Sequence, residues 1–218
     1  MIYILYVKIK KWYSDEEIVS SLKRIPLQKQ KEIVNFKKNE DQTLHCAGWL
    51  LFQKSVEMMD LNIEMEHNLF FDKYGKPSLK NGYQFNISQS GEMAICAFTE
   101  KSRIGVDIEK KRKIDLNLFK HLFTENEWNF IQRDTNPESI FFKLWTQKES
   151  VMKADGRGFW IDSKIIHIQH NMAQISEKPS ESKWFLRSVH VDPKYEISLC
   201  SETEIDSLQV KEVKFENL

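Results

Sequence analysis

Asp107 and Glu109 form the first pair of residues in this chain whose spacing could do chemistry. They alternate with the apolar residues Ile104, Val106 and Ile108. A period of two is typical of a β-strand with one apolar face, so both carboxylates should project from the opposite face. Carboxylates held side by side repel each other unless a proton or cation lies between them, and a hard divalent ion prefers such oxygen ligands. The pattern therefore indicates a metal site, although a solvated edge strand with ordinary surface acids would look the same.

A second group of chemically capable residues lies on a predicted helix over residues 138–155, where apolar residues recur at helical spacing. Trp145, Glu149 and Lys153 are spaced by four residues and therefore lie along one stripe, with Lys148 beside it. Such a stripe could be a solvated face with one ion pair. An exposed Trp is less expected there, because Trp is mostly buried, and we expect Trp145 to pack in the core.

Taken together, the two segments resemble the signature of the Sfp-type 4′-phosphopantetheinyl transferases. That family carries Gly-(Ile/Val)-Asp-X-Glu followed by Trp-X-X-Lys-Glu-(Ser/Ala)-X-X-Lys. Residues 105–109 read Gly-Val-Asp-Ile-Glu, and residues 145–153 read Trp-Thr-Gln-Lys-Glu-Ser-Val-Met-Lys, in the same order and spacing. Upstream, residues 74–77 (Tyr-Gly-Lys-Pro) and 86–91 (Asn-Ile-Ser-Gln-Ser-Gly) resemble two further segments of the family. The combined pattern is more specific than any single motif, and the chain is identified on it as a member of this family.

The resemblance implies an α+β fold of two similar halves, a pseudo-duplication packed together with the active site in the cleft between them. We expect an N-terminal half at residues 1–102, with the nucleotide contacts of coenzyme A. The C-terminal half would then cover residues 103–218, with the metal site and the signature helix. Periodicity predicts strands near 2–9, 84–88, 92–98, 103–109, 164–169, 183–191, 195–200 and 207–215, and helices near 15–23, 28–58 (with a break near Asn39), 115–132 and 138–155.

The resemblance also implies the reaction, a transfer of 4′-phosphopantetheine from coenzyme A to a serine of an apo acyl or peptidyl carrier protein. The products are holo carrier protein and adenosine 3′,5′-bisphosphate. Asp107, Glu109 and Glu149 are the family's ligand positions for Mg²⁺, which can stabilise charge on the pyrophosphate. The family places another acid in the preceding helix, and Glu127 matches it best as the catalytic base. Glu149 and a metal-bound water remain alternatives for that role.

Lysines should hold the phosphates of coenzyme A. The resemblance implies this role for Lys153, which would also be catalytic, for Lys148 on the same helix, and for Lys76 in the Gly-Lys-Pro turn. Each is a mobile point charge suited to a phosphate oxygen. Lys29 and Lys31 stand where the family often has basic residues near the 3′-phosphate of the nucleotide, although lysines on a helix are mostly solvent-exposed.

Two departures from the family pattern fall on recognition of the 3′-phosphate. The family usually has His after its Asn-Ile-Ser segment, whereas Ser88 is followed here by Gln89, which can donate a hydrogen bond but cannot carry a positive charge. Where the family often has Arg, this chain has Leu44, with His45 adjacent as a partial substitute. We therefore predict that Ser88, Gln89 and His45 contact coenzyme A, and that the 3′-phosphate is held weakly.

The bulk composition argues against several classes of partner. The chain has 218 residues, of which 32 are basic and 32 acidic, so its formal net charge is zero. A general nucleic-acid or membrane binder would usually carry a basic surplus. No apolar run approaches the length of a membrane span, and the short apolar N-terminus is typical of a strand rather than a leader peptide. Three widely spaced cysteines indicate a reducing compartment, so we expect a cytoplasmic monomer.

Two other functions remain open from the sequence. The chain could be a non-catalytic relative that binds coenzyme A or a carrier protein. The two departures from the family pattern favour this alternative, whereas the complete acid trio argues against it. A magnesium-dependent nuclease or phosphohydrolase could use the same acids, but a nuclease needs a basic track for the phosphate backbone. The sequence does not identify the carrier. The amphipathic helix predicted at 115–132 could dock one, although such stripes more often belong to the core.

Overall fold

A computed structural model describes residues 1–61, 68–80, 82–100, 102–177 and 180–218. The chain forms two compact units. The first contains Met1–Asp72, Pro77–Lys101 and Asp206–Leu218, and the second contains Lys73–Lys76 and Ser102–Ile205. Each unit combines a β-sheet with one long helix, so the predicted α+β fold of two similar halves is confirmed.

The first unit is built on a four-stranded sheet in the order β11-β1-β5-β4. Its strands are β1 (Ile2–Lys8), β4 (Tyr83–Ser90), β5 (Met93–Glu100) and β11 (Leu208–Glu212), and β2 (Leu69–Phe71) pairs separately with β3 (Pro77–Leu79). Its helices are α1 (Asp15–Leu22), α2 (Leu27–Ile33) and α3 (Asn39–Met58). The predicted break near Asn39 is confirmed by the gap between α2 and α3.

Helix α3 packs its apolar face on this sheet. Phe52 on α3 and Phe85 on β4 are both fully buried, and their ring centroids lie 3.8 Å apart. Gly48 lets helix and strand approach closely, because a Cβ atom at this position would lie only 2.5 Å from Cγ2 of Ile87. This packing holds the end of β4, which carries Gln89, against α3.

The second unit is built on a five-stranded sheet in the order β6-β10-β9-β8-β7, with every neighbouring pair antiparallel. Its strands are β6 (Ile104–Lys110), β7 (Ile166–Gln169), β8 (Met172–Glu177), β9 (Ser180–Ser188) and β10 (Tyr195–Ser201). Its α-helices are α4 (Glu125–Arg133) and α5 (Pro137–Asp155). The Asn136 side chain caps the start of α5, and Gly156 ends it in the left-handed conformation at φ 102°.

The predicted division into halves differs from the two units in two places. Lys73–Lys76, assigned to the first half, belongs to the second unit. The sequence assigns all of residues 103–218 to the second half, but Asp206–Leu218 belongs to the first unit. Strand β11 pairs in parallel with β1, from Ile2 opposite Leu208 to Tyr6 opposite Glu212. An apolar pattern predicts that β11 is a strand, but it carries no information about so distant a partner.

The helix predicted over 115–132 is two pieces. A 3₁₀ helix, Leu116–Leu122, ends at Phe123, whose backbone is extended at φ −119° and ψ 150°. Thr124 then starts α4 with a capping box: its hydroxyl accepts from the Glu127 amide, and its own amide donates to the Glu127 carboxylate. Phe123 and Trp128 are buried in a cluster with Phe141. The apolar side chains of this segment therefore belong largely to the core. Of the two interpretations of the segment, a docking surface or a core stripe, the structure favours the core stripe.

Candidate active site

Strand β6 carries the two acids of the predicted metal face. Asp107 is 2% exposed, and Glu109 is partly exposed two residues further along the same face. The neighbouring strand β10 places Ser198 opposite Asp107. The predicted strand and the shared face of its two carboxylates are confirmed.

Helix α5 lies directly on this face because Gly105 has no side chain. A Cβ atom at Gly105 would lie 2.1 Å from the carbonyl oxygen of Ser150 and 2.4 Å from the amide nitrogen of Ala154, closer than any real Cβ contact. The close approach brings Glu149 to the two acids of β6. One carboxylate oxygen from each of the three residues lies within 4.8 Å of the others.

The donor set of these three residues fits a hard divalent cation. All three ligands are carboxylates, and Mg²⁺ and Ca²⁺ both prefer oxygen. Three negative charges grouped at a buried point are unfavourable without positive charge among them. The arrangement therefore agrees with the predicted role of Asp107, Glu109 and Glu149 as metal ligands.

Lys153 supplies positive charge to the same cluster. Its Nζ lies 2.5 Å from Oδ1 of Asp107 and 3.8 Å from Oε2 of Glu149, one helical turn away. Burial alone would lower the pKa of Lys153, but the Asp107 and Glu149 carboxylates outweigh it and raise the pKa. The ammonium is therefore held charged, with its side chain 26% exposed and able to meet a further anion.

Glu149 is the acid whose proton affinity changes most. Burial, reinforced by the negative charge of Asp107, raises the pKa of the Glu149 carboxyl to about 8. Lys153 opposes this shift but does not cancel it. Without a cation, Glu149 thus exchanges its proton near neutral pH, which is the range in which a general acid or base operates.

Lys148 has a different position from the one predicted. Its side chain is fully buried, and its Nζ donates to the carbonyl oxygens of Ser163 at 2.6 Å and Ile166 at 3.0 Å. It also forms an ion pair with Oε1 of Glu127 at 2.8 Å. An ammonium group has three donors, and all three are occupied. The prediction that Lys148 binds a phosphate of coenzyme A is therefore corrected: it ties α5 to α4 and to the segment before β7.

Both carboxylate oxygens of Glu127 have partners in the same group of contacts around Lys148. Oε1 pairs with Lys148, and Oε2 accepts from the amide of Thr124 at 2.9 Å and from its hydroxyl at 3.0 Å. Within the described residues, the carboxylate group around Asp107 does not include Glu127. The structure gives the predicted base role of Glu127 no support.

Lys76 also binds backbone atoms of the second unit. Its Nζ donates to the carbonyl oxygen of Ala154 at 2.6 Å and approaches that of Ile104 at 3.3 Å. These oxygens belong to the last turn of α5 and the start of β6, which are the two elements that carry the acid trio. A lysine at the C-terminus of a helix is also favoured by the helix dipole. The phosphate role predicted for Lys76 remains a prediction.

Three residues predicted to contact the nucleotide come together in the first unit. Lys29, His45 and Gln89, which are distant in sequence, line one cavity of about 210 Å³. Phe36 and Trp49 contribute aromatic rings to its wall. The three segments that carry them thus meet at one place, and their predicted contacts with coenzyme A remain predictions.

The two polar residues of the cavity contact each other. The side-chain amide nitrogen of Gln89 lies 3.0 Å from Nδ1 and 3.1 Å from Nε2 of His45. The His45 ring also stacks on Phe36, with centroids 4.3 Å apart. Burial lowers the pKa of the His45 imidazole. His45 therefore lies beside Gln89, the position at which a cationic side chain was expected, but its own imidazole is neutral at neutral pH.

Lys31, Ser88 and Leu44 lie outside this arrangement. Lys31 is exposed on α2 and is not among the described residues that line the cavity. Ser88 is buried between Ile87 and Gln89 on β4, so its side chain points to the opposite face of the strand. Leu44 packs in the core of the first unit. The coenzyme A contacts predicted for Lys31 and Ser88 remain predictions.

Three structural contributors to these sites were not predicted. Thr146 and Ser198 are fully buried, and their hydroxyl oxygens lie 2.9 Å apart, which ties α5 to β10 beside Asp107. No motif distinguishes Ser198 within its strand. Glu32, which pairs with Lys29 in the first unit, could have been found from helical spacing alone. Trp145, expected in the core, is only partly buried: it packs at the edge of the cluster around Phe123 and stacks on the exposed ring of Phe159.

Comparisons with known proteins agree with this geometry. The profile described as "4'-phosphopantetheinyl transferase superfamily" matches residues 103–200. The 4'-phosphopantetheinyl transferase gsp of Aneurinibacillus migulanus is 31% identical over 98% of this chain and 94% of its own length. The transferase Sfp of Bacillus subtilis is 30% identical over 86% of this chain and 87% of its own length. The chain belongs to the 4'-phosphopantetheinyl transferase superfamily, and it is an enzyme of that type.

One solved structure shows a weaker similarity. The holo-[acyl-carrier-protein] synthase of Thermotoga maritima matches 45% of this chain and 61% of its own, with 11% identity and a TM-score of 0.34. In the described part of the chain, no helix combines the length and the apolarity that crossing a membrane would require.

Proposed function

We propose that this chain transfers 4′-phosphopantetheine from coenzyme A to a serine hydroxyl of an apo acyl or peptidyl carrier protein, in the presence of Mg²⁺. The serine oxygen would form a bond to the β-phosphorus while the bond from that phosphorus to the bridging oxygen breaks. Adenosine 3′,5′-bisphosphate leaves, and the serine proton passes to a base. The observation that carries the proposal is the grouping of Asp107, Glu109, Glu149 and Lys153 at one place on β6 and α5.

The three carboxylates would hold the metal ion. Bound there, Mg²⁺ would neutralise charge on the pyrophosphate and on the leaving phosphate. Asp107 is the most buried ligand, and its pairing with Lys153 fixes one of its oxygens. Glu109 lies nearer to solvent, with its side chain 25% exposed.

Lys153 is the cation that would meet the pyrophosphate. Its pKa is raised, so it stays charged at neutral pH, and its side chain is partly open to solvent. A charged ammonium binds a phosphate oxygen more strongly than a neutral donor does. Lys148 takes no part in this contact, because its three donors are occupied inside the protein.

Glu149 is the proposed acceptor of the serine proton. Its carboxylate has two oxygens, so one could bind the metal while the other accepts the proton. Glu127 is a poorer candidate, because both of its oxygens already have partners. This choice between two acids follows from their hydrogen bonds rather than from their sequence positions.

The cavity in the first unit is the proposed place for the nucleotide end of coenzyme A. Lys29, His45 and Gln89 offer polar contacts, and Phe36 and Trp49 offer aromatic surface. Lys31 lies two residues from Lys29 on the exposed side of α2 and remains available to a phosphate. The three cysteines are free and buried, which fits the proposed cytoplasmic location.

Mass spectrometry of the carrier tests the proposal. The chain is incubated with coenzyme A, Mg²⁺ and a panel of apo carriers of the fatty-acid, polyketide, nonribosomal-peptide and lysine-pathway types, with Bacillus subtilis Sfp in parallel. We expect at least one carrier to gain the mass of phosphopantetheine on its serine, and EDTA or Glu149→Gln to abolish the gain. If Sfp modifies the panel and this chain modifies none of it, the proposed function is wrong.

A further inference from the structure

Lys29 is the only lysine among the described residues that line the first-unit cavity, and its charge is already matched. Its Nζ lies 2.7 Å from Oε2 and 2.9 Å from Oε1 of Glu32, one helical turn further along α2. Nζ also lies 4.9 Å from the centre of the Phe71 ring. The Lys29 side chain is 17% exposed, and Glu32 lines the same cavity. The cavity therefore receives a lysine and a carboxylate together.

His45 is the other residue of the cavity that could carry a positive charge, and it also has partners inside the protein. The amide nitrogen of Gln89 can only donate, so the imidazole nitrogen that receives this bond is unprotonated. Stacking on Phe36 shields one ring face from water, which further disfavours the charged form. With His45 neutral and Lys29 matched by Glu32, these groups together give the cavity no net positive charge.

We propose that Glu32 sets the selectivity of this enzyme for its donor: by holding Lys29, it prevents the cavity from favouring the 3′-phosphate, so dephospho-coenzyme A binds nearly as well as coenzyme A. The inference rests on the proposed function, since it takes the cavity as the site of the nucleotide end. A 3′-phosphate carries nearly two negative charges, and the Glu32 carboxylate repels them while competing for Lys29. The rest of the donor, with its adenine and pyrophosphate, is the same in both molecules.

The chemical step is unchanged with the shorter donor. The serine oxygen forms a bond to the same β-phosphorus, and the same bridging bond breaks. The leaving group is then adenosine 5′-monophosphate instead of adenosine 3′,5′-bisphosphate, and the carrier receives an identical group. No additional reactant is needed.

Calorimetric titration of both donors into the full chain tests the inference. In the parent protein, we expect the dissociation constants of coenzyme A and dephospho-coenzyme A to agree within about threefold, because a matched cation adds little net attraction. Glu32→Gln should tighten coenzyme A by roughly five- to tenfold, the gain of a charge-assisted contact, and leave dephospho-coenzyme A unchanged.

A matched control lies on α3. Lys54 and Glu57 form the same kind of pair, three residues apart with Nζ 2.8 Å from Oε2, and neither lines the cavity. Glu57→Gln should therefore leave both dissociation constants unchanged. Both variants change exposed carboxylates, and thermal unfolding would verify that each is folded.

The possible outcomes separate this inference from the proposed function. A parent preference for coenzyme A of more than about thirtyfold, or equal tightening of both donors by Glu32→Gln, overturns the role of Glu32. An unchanged affinity for coenzyme A in Glu32→Gln does the same and points to Lys31 instead. If carriers are modified with coenzyme A but not with dephospho-coenzyme A, only this inference fails. If coenzyme A neither binds nor supports transfer, both fail.

Discussion

The ammonium of Lys153 lies 2.5 Å from Oδ1 of Asp107, although 46 residues separate the two in the sequence. The contact joins helix α5 to strand β6 at the acid trio. Asp107 is almost completely buried, so its charge needs a partner whether or not a metal is bound. Lys153 is therefore both a proposed phosphate ligand and a structural counter-ion.

Lys153→Met should separate these two roles. We expect the metal-free variant to lose about 2 to 3 kcal/mol of unfolding free energy, because a buried carboxylate loses its partner. Magnesium should restore part of that stability, since the cation supplies the missing charge. Urea unfolding with EDTA and with Mg²⁺ measures both effects. Lys143→Met, an exposed lysine on the same helix, is the control, and equal stability of the two variants would show that Lys153 is only a surface lysine.

The raised pKa of Glu149, about 8, makes metal-free stability depend on pH. The unfolded carboxyl loses its proton near its ordinary pKa, whereas the folded one keeps it until about pH 8, so the folded state binds more protons between these values. Stability should therefore fall as pH rises through this window, by on the order of 2 kcal/mol.

Glu149→Gln should remove this fall, and urea unfolding at several pH values in EDTA compares it with the parent. Glu138→Gln, the same change elsewhere on α5, should retain the parent's slope. Parallel pH profiles for Glu149→Gln and the parent would mean that Glu149 ionises normally in the folded protein.

The buried position of Lys148 predicts a stability effect rather than a binding effect. Lys148→Met should cost roughly 3 kcal/mol of unfolding free energy, because Glu127 and two carbonyl oxygens lose their donor. The double variant with Glu127→Gln should cost less than the sum of the two single changes, since the residues form one network. Coenzyme A should bind the folded variant with parent affinity in calorimetry. A tenfold weaker affinity would return Lys148 to the phosphate site.

Two glycines at helix–sheet contacts should respond differently to a methyl group. Gly105→Ala brings Cβ against the backbone of α5 and should cost about 3 kcal/mol or more, together with metal affinity. Gly48→Ala brings Cβ against a side-chain atom, Cγ2 of Ile87, rather than against backbone, and should cost less, about 1 to 2 kcal/mol. Urea unfolding of both variants measures the difference. A milder effect at Gly105 than at Gly48 would contradict the close contact between β6 and α5.

The acid trio could be predicted from the sequence in two parts by local periodicity, and the family resemblance joined the parts. Alternation on β6 puts Asp107 and Glu109 on one face, and spacing by four puts Glu149 and Lys153 on one stripe of α5. That this strand and this helix meet was implied by the family resemblance and not by either local pattern. Both patterns involve residues close together in the chain, so their spacing determines the side of the strand or helix from which the side chains project.

Lys148 and β11 could not be predicted in this way. Lys148 is one position from Glu149, and only the presence of Glu127 and two backbone carbonyl oxygens, from other segments, makes its burial favourable. The partner of β11 is the first strand of the chain. Strand β8, between Met172 and Glu177, mixes polar and apolar residues on a short segment and was not predicted. For Lys148 and β11, a distant part of the chain decides the outcome.

The pairing of β11 with β1 bears on the order in which the protein folds during synthesis. Ser102–Ile205 forms nearly all of the second unit and emerges from the ribosome before β11. The second unit can therefore fold while the first still lacks an edge strand. Loss of the segment Asp206–Leu218, by proteolysis or a premature stop codon, would then damage the unit that begins at Met1 and spare the sheet that carries Asp107.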